Sequence, residues 1–280
     1  MTSRAMGRPA MRILPGFGLT MGLTITWLSL IVLIPLSAVF IRSFGQGFDH
    51  FLSVAFSERA LASYRVTFGA AAIAALVNAV FGLLIAWVLV RYRFPGRQLL
   101  SAVIDLPFAL PTAVAGIALT AIYADTGWLG KPLADLGIAV AYHPQGIVVA
   151  MTFIGLPFVV RTVEPVLADL GRDIEEAAIT LGAHRSQVFR RVVLPEITPA
   201  LVTGTALAFA RGVGEYGSVI FIAGNMPMIS EISPLLIITQ LEQYDYEGAA
   251  AIAVVMLLIS FTMLLIINRI QEYNRRKAGL

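Results

Sequence analysis

The chain has 280 residues, 58% hydrophobic and 13% charged, with a formal net charge of +3, where soluble domains run at about 45–50% apolar and about 25% charged. That balance excludes an ordinary soluble fold, and so small a net charge offers no footprint for nucleic acid. The absence of cysteine excludes disulfides, thiolate metal sites and cysteine nucleophiles.

Six apolar stretches, 19–41, 64–90, 99–123, 146–168, 197–224 and 248–268, are long enough to cross a bilayer, which takes roughly 17–25 residues as helix. The expected fold class is all-α: a polytopic membrane protein with six transmembrane helices in one membrane domain at 19–268. A segment 1–18 precedes it and a tail 269–280 follows. The first stretch follows Arg4, Arg8 and Arg12, which resembles the start of a signal peptide. Its apolar run is too long for a cleaved signal and no small-residue cleavage site follows, so a retained helix is expected.

The segments 42–63 and 124–145 read either as short interfacial helices or, the favoured reading, as connectors anchored at headgroup depth by aromatics such as Tyr123, Trp128 and Tyr142. The third stretch contains Pro107 and Pro111, and the fourth contains Pro157. Proline removes a backbone hydrogen bond and bends a membrane helix, so these positions mark either pathway-lining hinges or packing kinks. Arg161 and Asp105 fall near helix ends; snorkelling of Arg161 toward the headgroups, alone or with Glu164, is favoured over a pair with Asp105. The fifth stretch holds Arg211 and Glu215, four residues apart and so on one face of a continuous helix, among Gly212, Gly214 and Gly217. Intramembrane charges are costly and face a cavity or a partner. Either the pair locks helices together or it lines a translocation path. The segment 225–247 is acidic, with Glu231, Glu242, Asp245 and Glu247 and no basic residue.

Lysine and arginine orient the chain. Fourteen fall in the two termini, the loop 91–98 and the loop 169–196, and four in the remaining loops. The positive-inside bias puts the first set in the cytoplasm, both termini included.

Between the fourth and fifth stretches lies EEAAITLGAHRSQVFRRVVLPE, residues 175–196. Ile174, Ala177, Ala178 and Leu181 recur at helical spacing, with Asp173, Glu175 and Glu176 in the first turn, where carboxylates complement the helix dipole. Gly182 ends that piece. A second short helix is expected over 184–193, stopped by Pro195 and Pro199. The residues alone fit two readings: an amphipathic element lying on the inner leaflet, or a knob whose small alanine face docks in a protein groove.

The spacing Glu176-Ala177-Ala178, Gly182, then Val192, Leu194 and Pro195 resembles the EAA loop of bacterial ABC-importer permeases, with Val192 at the isoleucine position. The segments RYRFPGR, DLPFALPTAVAG, PFVVRTVEPVL, ARGVGEYGSVIFIAGN and QYDYEGAAAIA resemble the sulfate/thiosulfate permease family, T-type subunit. The molybdate permeases share the segment Gly214-Glu215-Tyr216-Gly217. The resemblance implies a type I ABC-importer permease fold in a bacterial inner membrane. It implies a W-type second permease, two ATPase subunits carrying ATP and magnesium, and a periplasmic sulfate-binding protein. It makes Glu175, Glu176, Ala177, Ala178, Leu181, Gly182, Val192, Leu194 and Pro195 the coupling residues. Arg211, Gly214, Glu215, Tyr216, Pro107 and Pro111 are the candidates for the pathway or gate. The sequence itself carries no G-x4-GK[ST] phosphate loop and no HExxH or GxSxG segment. No cofactor and no catalytic residue are expected on this chain. The rivals at this stage are a molybdate or tungstate permease and a stand-alone secondary transporter.

Overall fold

The computed structural model describes residues 17–277, with side chains described as far as Arg269. The basic residues Arg4, Arg8 and Arg12, and the side chains of Arg275, Arg276 and Lys277, lie outside that description. In chain order the helices are α1 (Phe17–Ser43), α2 (Phe48–Ala55), α3 (Glu58–Arg91), α4 (Arg97–Ala109), α5 (Thr112–Tyr123), α6 (Gly130–Asp135), α7 (Pro144–Asp169), α8 (Arg172–Thr180), α9 (Arg185–Val213), α10 (Val219–Ile222), α11 (Ser233–Glu242) and α12 (Tyr246–Lys277). Five of them, α1, α3, α7, α9 and α12 as far as Arg269, are long and apolar enough to cross a membrane, and the bent pair α4–α5 is a sixth candidate. The tail expected from residue 269 onward is largely a continuation of α12.

The centre of the bundle is the mutual contact of α3, α7 and α9. The face that α3 buries is made of small residues at three- and four-residue spacing: Ser63, Thr67, Ala71, Ala74, Ala75, Asn78, Gly82 and Ala86. Its large side chains, Ile73, Leu76, Val80, Phe81 and Leu84, are exposed. A bilayer solvates leucine as well as a protein core does, so packing in it is driven by close backbone approach over small residues. Gly204 on α9 shows how close: a Cβ there would stand 2.9 Å from Val159 Cα and 3.1 Å from the Phe158 carbonyl oxygen.

The third expected span is not one helix. α4 and α5 meet at Leu110–Pro111 with a bend of 116°. Together they still carry the chain across. Leu100 and Ile104 pack with Leu89 and Val163 near the ends of α3 and α7, whereas Leu119 and Tyr123 pack in the cluster that holds Ala141 and Ile147, where α7 begins. Pro111, lacking an N–H, stands as the N-cap of α5, and Pro107 is accommodated within the last turns of α4.

The segment 225–247 is not a free loop. Ile232 and Leu236 are buried and α11 packs on α3 and α12. Arg59 at the start of α3 grips Glu231 with two hydrogen bonds of 2.7 Å, from Nε and Nη2. Ser233 N donates to Thr67 Oγ1 at 2.8 Å, and Ser63 shares a 3.1 Å hydrogen bond with Ser233 Oγ. The connectors 42–63 and 124–145 hold the short helices α2 and α6, and Trp128 and Tyr142 are exposed.

Candidate functional site

α8 lies beyond the end of α7 as a short, mostly exposed helix. Its termination follows from residue type. Gly182 adopts φ +87°, its N–H bonds the Ile179 carbonyl at 2.9 Å, and the Ala183 N–H bonds the Ala178 carbonyl at 3.1 Å. That pair is the Schellman pattern, which glycine closes without steric penalty. The expected apolar face is divided by the structure. Ala178 turns inward and packs with Ala183, Phe189, Val192 and Leu194 against Leu167, Val193 and Ile197. Ile174, Glu176, Ala177 and Leu181 face outward, Leu181 with 89% of its surface exposed. The outward side therefore presents Ile174, Ala177 and Leu181 beside two carboxylates, Asp173 and Glu176.

Glu175 turns inward and meets Arg91, the last residue of α3, at 2.5 Å. Arg91 Nη2 also donates to the Leu170 carbonyl at 3.0 Å, and its guanidinium lies 5.7 Å from the Trp87 ring centre. Arg172 returns a 2.6 Å hydrogen bond to the Arg91 carbonyl. In the sequence Arg91 stands out only as an orienting charge and as the first residue of the RYRFPGR segment. The available signal was Trp87 four residues before it, a cation–π spacing on one helix face.

The second expected short helix over 184–193 does not stand alone. The helix that begins at Arg185 runs through a π turn at Phe189–Val193 into the membrane part of α9. Leu194 N bonds back to the Phe189 carbonyl, five residues earlier. This wider turn accommodates Pro195, which has no N–H to give, so the proline does not end the helix here. Pro195 is exposed, while Val192 and Leu194 are half-buried.

Within the membrane, α9 ends at Val213, and Glu215 lies just beyond that end. The sequence placed Arg211 and Glu215 on a continuous helix, but the segment 214–218 is a break. The pair does form, at 2.6 Å. Glu215, 2% exposed at its side chain, also accepts hydrogen bonds from Ser218 N at 2.9 Å and Ser218 Oγ at 3.0 Å. Its carboxylate thus takes up an orphan donor of the break as well as neutralising Arg211. The other interruption, at Pro111, lies against this one: Thr112 Oγ1 occupies the place of a Gly217 side chain, and the Ser218 backbone that of a Gly116 side chain. Non-helical backbone at membrane depth is tolerated where protein buries it or where it lines a cavity, and two such interruptions meet here. Gly214 and Pro111 are exposed; Tyr216 and Pro107 are half-buried.

Arg161 does not snorkel alone. Nε and Nη2 reach Asp105 at 2.8 and 2.5 Å, Nη1 reaches Glu164 at 2.5 Å, and Nη2 also bonds Ser101. The 116° bend brings α4 back against α7, which fifty-six residues of separation hide in the sequence. A cleft of about 770 Å³ beside it is lined by Arg93, Arg97, Ser101 and Glu164, among others.

Residues 78–279 match the family described as "Binding-protein-dependent transport system inner membrane component". The sulfate transport system permease protein CysT of Salmonella typhimurium is 50% identical over 269 residues, 96% of this chain and 97% of that protein. The Escherichia coli protein of the same name is 49% identical over the same shares. The probable sulfate transport system permease protein cysT of Nephroselmis olivacea is 52% identical over 92% of this chain and 90% of that protein. Among solved structures, a chain of a bacterial ABC transporter that imports the acidic polysaccharide alginate superposes with a TM-score of 0.76 at 17% identity, covering 92% of this chain and 96% of that one. A chain of the MetNI methionine ABC transporter in an inward-facing form gives 0.56 at 20% identity, covering 75% and 93%. At such identities the structural likeness speaks for fold alone.

Proposed function

The chain belongs to the binding-protein-dependent transport inner membrane component family, and from that premise we propose that it is the membrane permease subunit of an ATP-driven, binding-protein-dependent importer of sulfate or thiosulfate. The observation that carries the substrate is likeness to sulfate permeases over nearly the whole of both chains, not over one motif. A molybdate or tungstate permease, which shares the Gly214–Gly217 segment, has no such support, and a stand-alone secondary transporter does not account for an exposed docking helix.

In this reading the outward side of α8, with Glu176, Ala177 and Leu181, sits in a groove of a separate ATPase subunit, which binds ATP and magnesium. A second permease, of the W-type, completes the pathway, and a periplasmic sulfate-binding protein delivers the anion to the outer face. The chain lies in the bacterial inner membrane with both termini in the cytoplasm. Contact between Arg91 and α8 supports that orientation, because the basic loop 91–98 and the docking helix then share one side.

The anion passes the meeting point of the two helix interruptions. Arg211 offers attraction to a dianion, and Glu215 beside it offsets that attraction, so the site serves transit better than storage. A path that held sulfate tightly would slow its release; a half-neutralised arginine avoids this.

The test is uptake by proteoliposomes that contain the permease pair, the ATPase and the binding protein, supplied with radiolabelled sulfate. Uptake is expected only with ATP, competed by thiosulfate and not by molybdate. Competition by molybdate alone overturns the substrate assignment, and ATP-independent flux overturns the importer.

A further inference from the structure

We propose that Arg91 is a positioning residue for transport, the side chain through which movement of the docking helix reaches the membrane bundle; this rests on the reading of α8 as the ATPase-docking helix. The covalent joints of α8 are short and turn-like, ending α7 at Leu170 and entering α9 through Gly182–His184. Neither joint leads to α3, which forms the centre of the bundle with α7 and α9. The polar connection from α8 to α3 is Arg91 with Glu175, reinforced by Arg172 on the Arg91 carbonyl.

The cluster around that guanidinium joins four helices. It holds the end of α7 through the Leu170 carbonyl and α8 through Glu175, and it lies over Trp87 on α3. Trp87 in turn meets Phe189, in the π turn of α9, edge-on at 5.5 Å. The Arg91 side chain is 10% exposed and that of Glu175 19%. Shielded from water, their charges attract more strongly than a surface pair. By contrast, Ala178 and Ala183 offer small apolar contacts that can slide.

The pair is also only half satisfied. Arg91 Nε and Glu175 Oε1 are buried without an aligned hydrogen bond, so charge holds the contact while its geometry is free to be remade. A cavity of about 210 Å³, lined by Trp87, Tyr92, Glu175, Ile179, Arg185 and Phe189 among others, gives the Glu175 side chain room to do so. A contact that survives a shift of α8 can pull α3 along with it. α3 then carries the displacement over 34 residues to the Arg59–Glu231 clasp at its other end.

The experiment measures sulfate uptake and ATP hydrolysis in the same proteoliposomes. Arg91→Lys keeps the charge but replaces the planar guanidinium, whose Nη2 meets both Glu175 and the Leu170 carbonyl while the group lies over Trp87. The compact ammonium that takes its place cannot hold all three contacts from one position. Expected are ATPase co-purification and hydrolysis within about twofold of wild type, with sulfate moved per ATP reduced about fivefold or more, the lower bound of ordinary allosteric coupling. Glu175→Gln should give a similar loss, and the double variant little more than either alone. The charge swap, Arg91→Glu with Glu175→Arg, should regain part of the ratio that either reversal alone abolishes. Unchanged sulfate per ATP in Arg91→Lys, or losses that simply add in the double variant, overturns the proposal. A wild-type complex that shows no ATP-driven uptake overturns the docking reading itself, whatever Arg91 does.

Discussion

Replacing Gly182 by alanine tests the docking helix with a magnitude the structure sets. An added Cβ at this position meets nothing within 4 Å, so no collision contributes. The whole effect comes from φ +87°, which costs an L-residue roughly 1–2 kcal/mol. If the free permease must hold this helix end in shape before the ATPase docks, that cost appears directly as lost affinity. At 1.4 kcal/mol per tenfold it corresponds to about 5- to 30-fold. Alanine also lowers the entropy of the unstructured loop, which offsets about 0.4–1 kcal/mol, so a loss near fivefold is expected. Asparagine, which tolerates the left-handed region, should lose about half as much free energy. Proline fixes φ near −65° and removes the N–H that bonds Ile179 at 2.9 Å, so docking should be abolished. The assay is titration of the ATPase subunit onto permease in nanodiscs, with amide exchange of residues 172–180 as a check on the helix itself. Equal affinities for the alanine and asparagine variants, or an alanine variant indistinguishable from wild type, would refute the argument from backbone strain.

Leu181→Asp should leave thermal stability unchanged, since surface changes stay within about 0.5 kcal/mol, and should eliminate ATPase co-purification; retained co-purification would remove Leu181 from the docking face. Arg161→Met strands Asp105 beside Glu164, and because those carboxylates are 44% and 22% exposed, the loss should be about 1–2 kcal/mol, well below the 3–5 kcal/mol of a fully buried pair. Detergent-solubilised protein should melt lower than Asp105→Asn, and the reverse order would contradict the arrangement. Glu215→Gln keeps an acceptor for Ser218 but leaves Arg211 unpaired, whereas Glu215→Ala loses both. Both should cut sulfate uptake about tenfold or more, as removal of an uncompensated buried partner does, and only the alanine variant should also show faster amide exchange at Ser218. Wild-type uptake in either would take the pair out of the pathway.

Features that depend on neighbours in sequence were readable. The Gly182 stop followed from one residue type at the end of a periodic stretch, and four of the spans from hydropathy and length. Features set by tertiary geometry were not. Pro107 and Pro111 announce a disturbance, yet the 116° bend is fixed by what α4 and α5 lie against, and with it the Arg161–Asp105 pair. Arg211 and Glu215 have helical spacing, but the glycines around them let the helix end between the two, and the carboxylate then takes up the freed N–H of Ser218. α11 was hidden for a different reason: at ten residues it is too short for a span, and its burial depends on Thr67 and Arg59, far back in the chain. The buried face of α3 was hidden because in lipid the packing face is marked by small residues and not by large apolar ones.

α1 bears on how the chain is assembled. None of its residues from Phe17 to Leu28 is buried, and the half from Ile34 to Ser43 leans on α12, roughly two hundred residues further along the described chain. During synthesis in chain order, α1 must therefore remain in the bilayer by hydropathy alone until its support emerges. It has the composition to do so, with a mean hydropathy of 2.3 in its most apolar window. Membrane residence and tertiary docking are separable events for this helix. A permease expressed as two fragments divided in the connector before α3 should still be able to reassemble in the bilayer.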